Sequence, residues 1–236
     1  MILGTVAILF FLAVPRGDTI LAFGRLWSRI ILATAGVRVR STGAERTAGA
    51  AKVLLCNHQS HFDIPALVVT LGGNFRMVAK RELFWIPIFG WALWLAGFIP
   101  VDRARHDRAI ASLARAAAKV RSGRSVVVFA EGTRSRDGNL QPLKKGAFHL
   151  AQQAGVPLLP VTVSGSRAVL PKGSWLPRPG RIDVAVGSPL APPPPGAGVG
   201  AAALEAAAAA LRAGYTDLHQ ADLAPRSAPG STRSPA

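Results

Sequence analysis

The chain has 236 residues, 28 Lys+Arg against 12 Asp+Glu, a formal charge of +16, and 50% hydrophobic residues. That pairing excludes a disordered basic tail, which is charge-rich and apolar-poor. It argues against a nucleic-acid module, whose basic surface needs far less apolar sequence. Basic and apolar together point to a protein resting on an anionic membrane.

The charge is local. Residues 76–145 carry 14 basic and 5 acidic residues, whereas residues 191–236 carry 3 of each. A basic surface in the middle of the chain is expected, not an evenly cationic protein. The single cysteine, Cys56, excludes an intrachain disulfide and fits a reducing, cytosol-facing domain.

Met1–Val14 is an uncharged apolar run ended by Pro15-Arg16-Gly17-Asp18. As a helix it would reach roughly 21 Å, short of a ~30 Å hydrocarbon core. It also lacks the basic start and cleavage site of a secretory signal. Thr19–Val37 is apolar apart from Arg25 and Arg29, whose spacing puts them on one helix face. Residues 1–37 are therefore expected to form two membrane-associated helices, the second lying in the interface.

From Val37 the pattern changes to short β-like runs: Val37–Thr42, Lys52–Cys56, Phe75–Ala79, Ser125–Phe129, Leu158–Val163 and Arg181–Gly187. Several are nearly continuous apolar stretches, as in strands covered on both faces. A helix is predicted over Arg105–Arg121 from Ile110, Leu113, Ala117 and Val120 at three-to-four spacing. Strands alternating with helices predict an α/β fold with a mixed, mainly parallel sheet.

Leu83–Val101 is uncharged and holds Trp85, Trp91 and Trp94. Its length suits a span, but Pro87, Gly90, Gly97 and Pro100 argue against one continuous helix. Tryptophan favours the membrane–water boundary, so the expectation is a re-entrant or interfacial element, or the wall of an acyl-chain channel. Buried core is the other reading. After Leu190 comes a Pro/Ala-rich segment, residues 191–236, with a helix expected near Ala201–Arg212. Its composition predicts little apolar burial and no part in chemistry.

The sharpest feature is Asn57-His58-Gln59-Ser60-His61-Phe62-Asp63, directly after an apolar strand. Strand ends are where open α/β sheets place their sites. Pro65 is tolerated in a first helical turn, so a helix is expected to begin near Asp63, with His58 in the loop before it. The carboxylate would then fix the imidazole tautomer and support its positive charge, making His58 a general base for an alcohol. Asp63 as a plain helix cap, or a metal bound by His58, His61 and Asp63, are the competing readings. A serine hydrolase is disfavoured, because no Gly-x-Ser-x-Gly elbow is present.

A second constellation, Phe129-Ala130-Glu131-Gly132-Thr133-Arg134-Ser135, also ends an apolar strand. Gly132 lets backbone amides approach an anion, and Arg134 offers a bidentate donor for phosphate. Gly97–Arg103 ends the Trp-rich segment on a cation, and Lys80 follows another strand end, making both basic residues candidate phosphate contacts. Val156–Val161 reads as a short buried strand.

In this order the four blocks resemble the lysophosphatidic acid acyltransferase branch of the glycerolipid acyltransferase family. Asn57–Asp63 and Glu131–Arg134 carry most of the likeness, which spans roughly residues 37–190. The resemblance implies an N-terminal membrane-anchoring two-helix element (1–37), a catalytic domain (38–190) and the tail. It implies acyl transfer from acyl-CoA or acyl carrier protein to the sn-2 hydroxyl of lysophosphatidic acid at the cytoplasmic face of the cell membrane. No metal, organic cofactor or nucleic acid is implied. His58 would be the base and Asp63 its orienting partner, while Glu131, Gly132, Thr133, Arg134, Arg103 and Lys80 would hold the acceptor's phosphate. Backbone amides near the His58 loop are the expected oxyanion donors. Another acceptor, such as lyso-ornithine lipid, and a non-enzymatic basic membrane-binding protein are the alternatives.

Overall fold

The structure is a computed structural model and describes residues 17–102, 106–194 and 196–223. The apolar runs do become strands: β1 Val37–Thr42, β2 Val53–Cys56, β3 Phe75–Lys80, β5 Ser125–Phe129, β6 Leu158–Ser164 and β7 Gly180–Val186. One further strand, β4 Ile99–Val101, lies inside the Trp-rich segment and was not anticipated. The seven form one sheet in the order β1-β7-β6-β2-β5-β3-β4. Among the described residues every pairing is parallel except that of β6 with β7.

Side-chain alternation along the strands divides the core in two. Leu54 and Cys56 of β2 join Val127, Val161 and Ile182 on one face, beneath helices α1 (Gly17–Thr34) and α2 (Asp63–Thr70). Val53 and Leu55 join Val126 and Leu158 on the other. That face is covered by α4 (His106–Arg121), α5 (Gly146–Ala154) and α7 (Ala201–Leu223), while the one-turn helix α6 (Ser166–Val169) follows β6. All four residues of β2 are buried, which explains why its sequence is continuously apolar.

The Trp-rich segment is broken as its prolines and glycines require. It forms a 3-10 turn (Arg81–Trp85), the short helix α3 (Phe89–Leu95) and β4. Ile88 sits at φ 67, an unusual backbone for a β-branched residue, and its side chain is turned out to solvent. Trp85, Trp91 and Trp94 are exposed too, Trp85 by 72%. They line a cavity of about 780 Å³ with Arg81, Phe84 and Arg115.

Helix α1 realises the second predicted N-terminal helix, whereas the first, Met1–Val14, lies outside the described residues. Phe23, Leu26, Trp27 and Ile30 of α1 are exposed. Arg25 does not face outward as an interfacial helix would suggest. Its guanidinium donates to the carbonyls of Leu71 (3.3 Å) and Gly73 (2.8 Å), pinning α1 to the turn before β3. No helix among the described residues is long and apolar enough to cross a membrane.

The segment after Leu190 departs most from expectation. Its helix runs eleven residues past the predicted Arg212, to Leu223, and packs on β6 and β7 with Ala207, Ala208 and Leu211 buried. Alanine buries little area per residue, but it lets a helix approach a sheet closely. Contact is tightest at Gly214, where a Cβ would collide with Thr162.

Candidate active site

Because β2, β3, β5 and β6 are mutually parallel or linked by parallel pairs, their C-terminal ends share one edge of the sheet. Both motif loops leave the sheet there, His58 after Cys56 and Glu131 after Phe129. The neighbouring pairing of Cys56 with Phe129 in register places the loops side by side.

His58 Nδ1 lies 2.7 Å from Asp63 Oδ2. The carboxylate can only accept, so Nδ1 carries the proton and Nε2 is the nitrogen left to take one. The same oxygen accepts the backbone N–H groups of Gln59 (2.7 Å) and Ser60 (2.9 Å). Asp63 opens α2, as Pro65 predicted, yet its side chain turns back to the loop instead of capping the helix. Asp63 is fully buried, and its second oxygen, Oδ1, has no hydrogen-bond partner. The His58 ring stacks on Phe129, with centroids 3.9 Å apart and planes inclined by 18°. Its side chain is only 13% exposed, so the platform and the carboxylate together leave it little freedom.

Glu131 plays a different part from the one its motif suggested. It is 3% exposed, and Oε1 accepts the N–H of His58 (2.7 Å) while Oε2 accepts that of Gln141 (3.0 Å). A buried carboxylate engaged in this way braces the His58 loop. Burial pushes its pKa up, against the lowering effect of those two hydrogen bonds. Ser135 adds a second link, its N–H donating to the carbonyl of His58 at 2.8 Å.

Gly132 has φ 73, so the turn after Glu131 needs glycine for its backbone and not for space. Thr133 is exposed and Arg134 half-buried. The pKa of His61 is lowered first by burial and then by the Arg134 cation. Lys80, at the end of β3 on the same edge, is exposed and pairs with Glu82 at 3.4 Å. Arg103 lies outside the described residues. Within the loop, the amides of His58, Gln59 and Ser60 are engaged by Glu131 and Asp63. Burial raises the Cys56 thiol far above its ordinary value, so it is no nucleophile.

A cavity of about 850 Å³ opens beside this arrangement. Val78, Leu113 and Val128 give it apolar walls; Glu131, Gly132 and Thr133 border it, with Lys144 and Lys145. Several contributors stood inside the motif blocks without any role readable from the sequence. Phe129 is one, since a ring platform is defined only by its partner. Asn57 and Gln59 are others. Asn57 is pinned to β6 through Val163, accepting its N–H at 2.7 Å and donating to its carbonyl at 2.8 Å.

The acyltransferase family model matches residues 38–164, which hold both loops. The 1-acyl-sn-glycerol-3-phosphate acyltransferase alpha of Homo sapiens is 41% identical over 131 residues, 55% of this chain and 46% of that protein. The chloroplastic 1-acyl-sn-glycerol-3-phosphate acyltransferase BAT2 of Brassica napus is 42% identical over 122 residues, 52% of this chain and 35% of that protein. The chain thus spans between about a third and about half the length of these curated relatives. The crystal structure of the 1-acyl-sn-glycerophosphate (LPA) acyltransferase of Thermotoga maritima superposes with a TM-score of 0.77 at 24% identity, covering 92% of this chain and 89% of that one. That likeness establishes a shared fold. With the family match covering more than half of its length, this chain belongs to the acyltransferase family.

Proposed function

We propose that this protein transfers a fatty acyl group from a thioester, acyl-CoA or acyl carrier protein, to the sn-2 hydroxyl of lysophosphatidic acid, giving phosphatidic acid. The observation that carries the proposal is the His58–Asp63 pair at 2.7 Å, with its tautomer set for proton removal at Nε2. His58 Nε2 takes the hydroxyl proton as the oxygen attacks the thioester carbonyl. Asp63 supports the imidazolium that forms. Collapse of the tetrahedral intermediate breaks the C–S bond, and the imidazolium returns the proton to the departing thiolate. Holding both substrates at one site supplies much of the acceleration.

Arg134, with Lys80 and Arg103, is proposed to receive the acceptor's phosphate; a bidentate guanidinium suits that group. The apolar-walled cavity beside Glu131–Thr133 is the space proposed for the acyl chain and its thioester arm. The exposed residues Trp27 and Ile30 of α1 and Trp85, Ile88 and Trp91 around α3, two elements in contact, are proposed to rest on the membrane surface. Arg81 and Arg115, at the rim of the Trp-lined cavity, would face anionic headgroups. This is a monotopic or peripheral attachment at the cytoplasmic face.

The test is a panel of acceptors, lysophosphatidate, lyso-ornithine lipid and glycerol 3-phosphate, each offered with acyl-CoA and with acyl carrier protein. Preferred acylation of lysophosphatidate supports the reading. Preference for another acceptor moves the assignment within the family, and no acyl transfer to any of them overturns it.

A further inference from the structure

The family match ends at residue 164, yet one side chain far beyond it reaches the His58 loop. Tyr215, on α7, is the single tyrosine of the chain. Its hydroxyl oxygen lies 2.6 Å from Asn57 Nδ2 and 2.9 Å from Gln59 Nε2, the two residues flanking His58.

The direction of both bonds is determined. Asn57 Oδ1 is taken by the N–H of Val163, so the atom facing Tyr215 is the amide nitrogen. Gln59 uses that same nitrogen to donate to the carbonyl of Gly138 at 2.8 Å, which sets its orientation as well. Tyr215 therefore accepts from both amides and donates to neither. Burial raises the phenol's pKa, with the carboxylates of Glu131 and Asp63 adding to the effect, so the group stays neutral.

We propose that Tyr215 is a positioning residue for acyl transfer, in which the C-terminal helix closes the far side of the His58 loop through the Asn57–Tyr215–Gln59 bridge. Asp63 and Glu131 hold the loop from within and from β5; Tyr215 ties its two shoulders to α7, which is packed on β6 and β7. Asn57 and Gln59 bracket the base in sequence, so a bridge across them limits how far the backbone at His58 can pivot. Small displacements of a catalytic group cost large factors in rate. This role rests on the acyltransferase reading and extends it to a segment whose composition had suggested no such part.

The experiment uses the full chain and compares wild type with Tyr215→Phe, Gln59→Ala, the double variant and Leu211→Ala. Leu211→Ala loosens the same helix without touching the hydroxyl. Removing a buried hydrogen-bond acceptor is expected to lower kcat about tenfold in Tyr215→Phe, with KM for both substrates within about twofold. The double variant should lose less than the product of the single losses, because the two act through one bond. Leu211→Ala should lower Tm while keeping kcat, measured well below melting, within about twofold. Tyrosine labelled at Cζ gives one NMR resonance, which should move in Gln59→Ala.

Full kcat in Tyr215→Phe, additive losses in the double variant, an unmoved resonance, or an equal kcat loss in Leu211→Ala would each overturn the proposal. An inactive wild type overturns the acyltransferase reading itself. An active wild type with unaffected Tyr215→Phe overturns only the role of Tyr215.

Discussion

The carboxylate of Glu131 accepts the backbone N–H of His58 at 2.7 Å, so the two motif loops form one mechanical unit. A negative charge within the proposed phosphate site is puzzling until its direction is seen. It points inward, to the amides of His58 and Gln141. The His58 loop is thereby held by three carboxylate bonds to amides or imidazole from Asp63 and one from Glu131.

His58→Ala is expected to cut acyl transfer by about 10³-fold, within the range for loss of a general base. The change removes no backbone link, so Tm should stay close to wild type. A variant that keeps most of its activity in a lysophosphatidate assay would show that the base lies elsewhere.

Asp63→Asn should cost about 10²- to 10⁴-fold in kcat. An amide oxygen in place of Oδ2 keeps its three contacts but puts an NH2 at the buried position of Oδ1, where no acceptor waits. The flipped amide instead presents NH2 to His58 and forces the wrong tautomer. Activity near wild type would mean that the imidazole does not depend on the carboxylate.

Glu131 carries a pH signature. Its pKa in the folded chain is raised above the ordinary 4.5 by burial, so the native state holds that proton more tightly than the unfolded chain. Stability from this group is therefore fully present below 4.5 and is lost as pH rises through the raised value. Thermal melts of wild type should decline relative to Glu131→Gln as pH rises above the ordinary 4.5. A difference that stays flat, or runs the other way, contradicts the assignment.

Arg134→Ala should raise the KM for lysophosphatidate about tenfold, the loss of one charge-assisted contact. The KM for a neutral monoacylglycerol should stay unchanged. Equal effects on both acceptors would remove Arg134 from the phosphate site.

Gly214→Ala places a methyl against Thr162, whose hydroxyl donates to the Leu211 carbonyl at 2.8 Å. Overpacking of this kind costs about 2 kcal/mol, which lowers Tm by roughly 4–8 °C for a chain of this size. Calorimetry that shows no drop would mean α7 sits less tightly on β6 than described.

Much of this architecture was legible from residue pattern alone. Six strands were predicted within a residue or so of their ends, because β2, β5 and β6 are largely buried on both faces and read as nearly continuous apolar runs. Strand β4 was hidden by its length of three residues inside a segment dominated by tryptophan. Helix α5 was passed over although Ala147, Phe148, Leu150 and Ala151 recur at helical spacing, since nine residues make a weak periodic signal. Helix α7 was misjudged because alanine counts as little apolar area, whereas its use here is close approach. At the site, His58 and Asp63 were readable because Pro65 located the helix start. The partners of Glu131 were not, since a backbone N–H leaves no mark on the sequence.

The stacking of His58 on Phe129 has a wider consequence. Phe129 and Glu131 stand two residues apart on one strand end, the first supporting the imidazole ring and the second the backbone beneath it. Both also line the neighbouring cavity. Whatever fills that cavity leans on the supports of His58, so occupancy of the cleft and the orientation of the imidazole are coupled through the same few atoms.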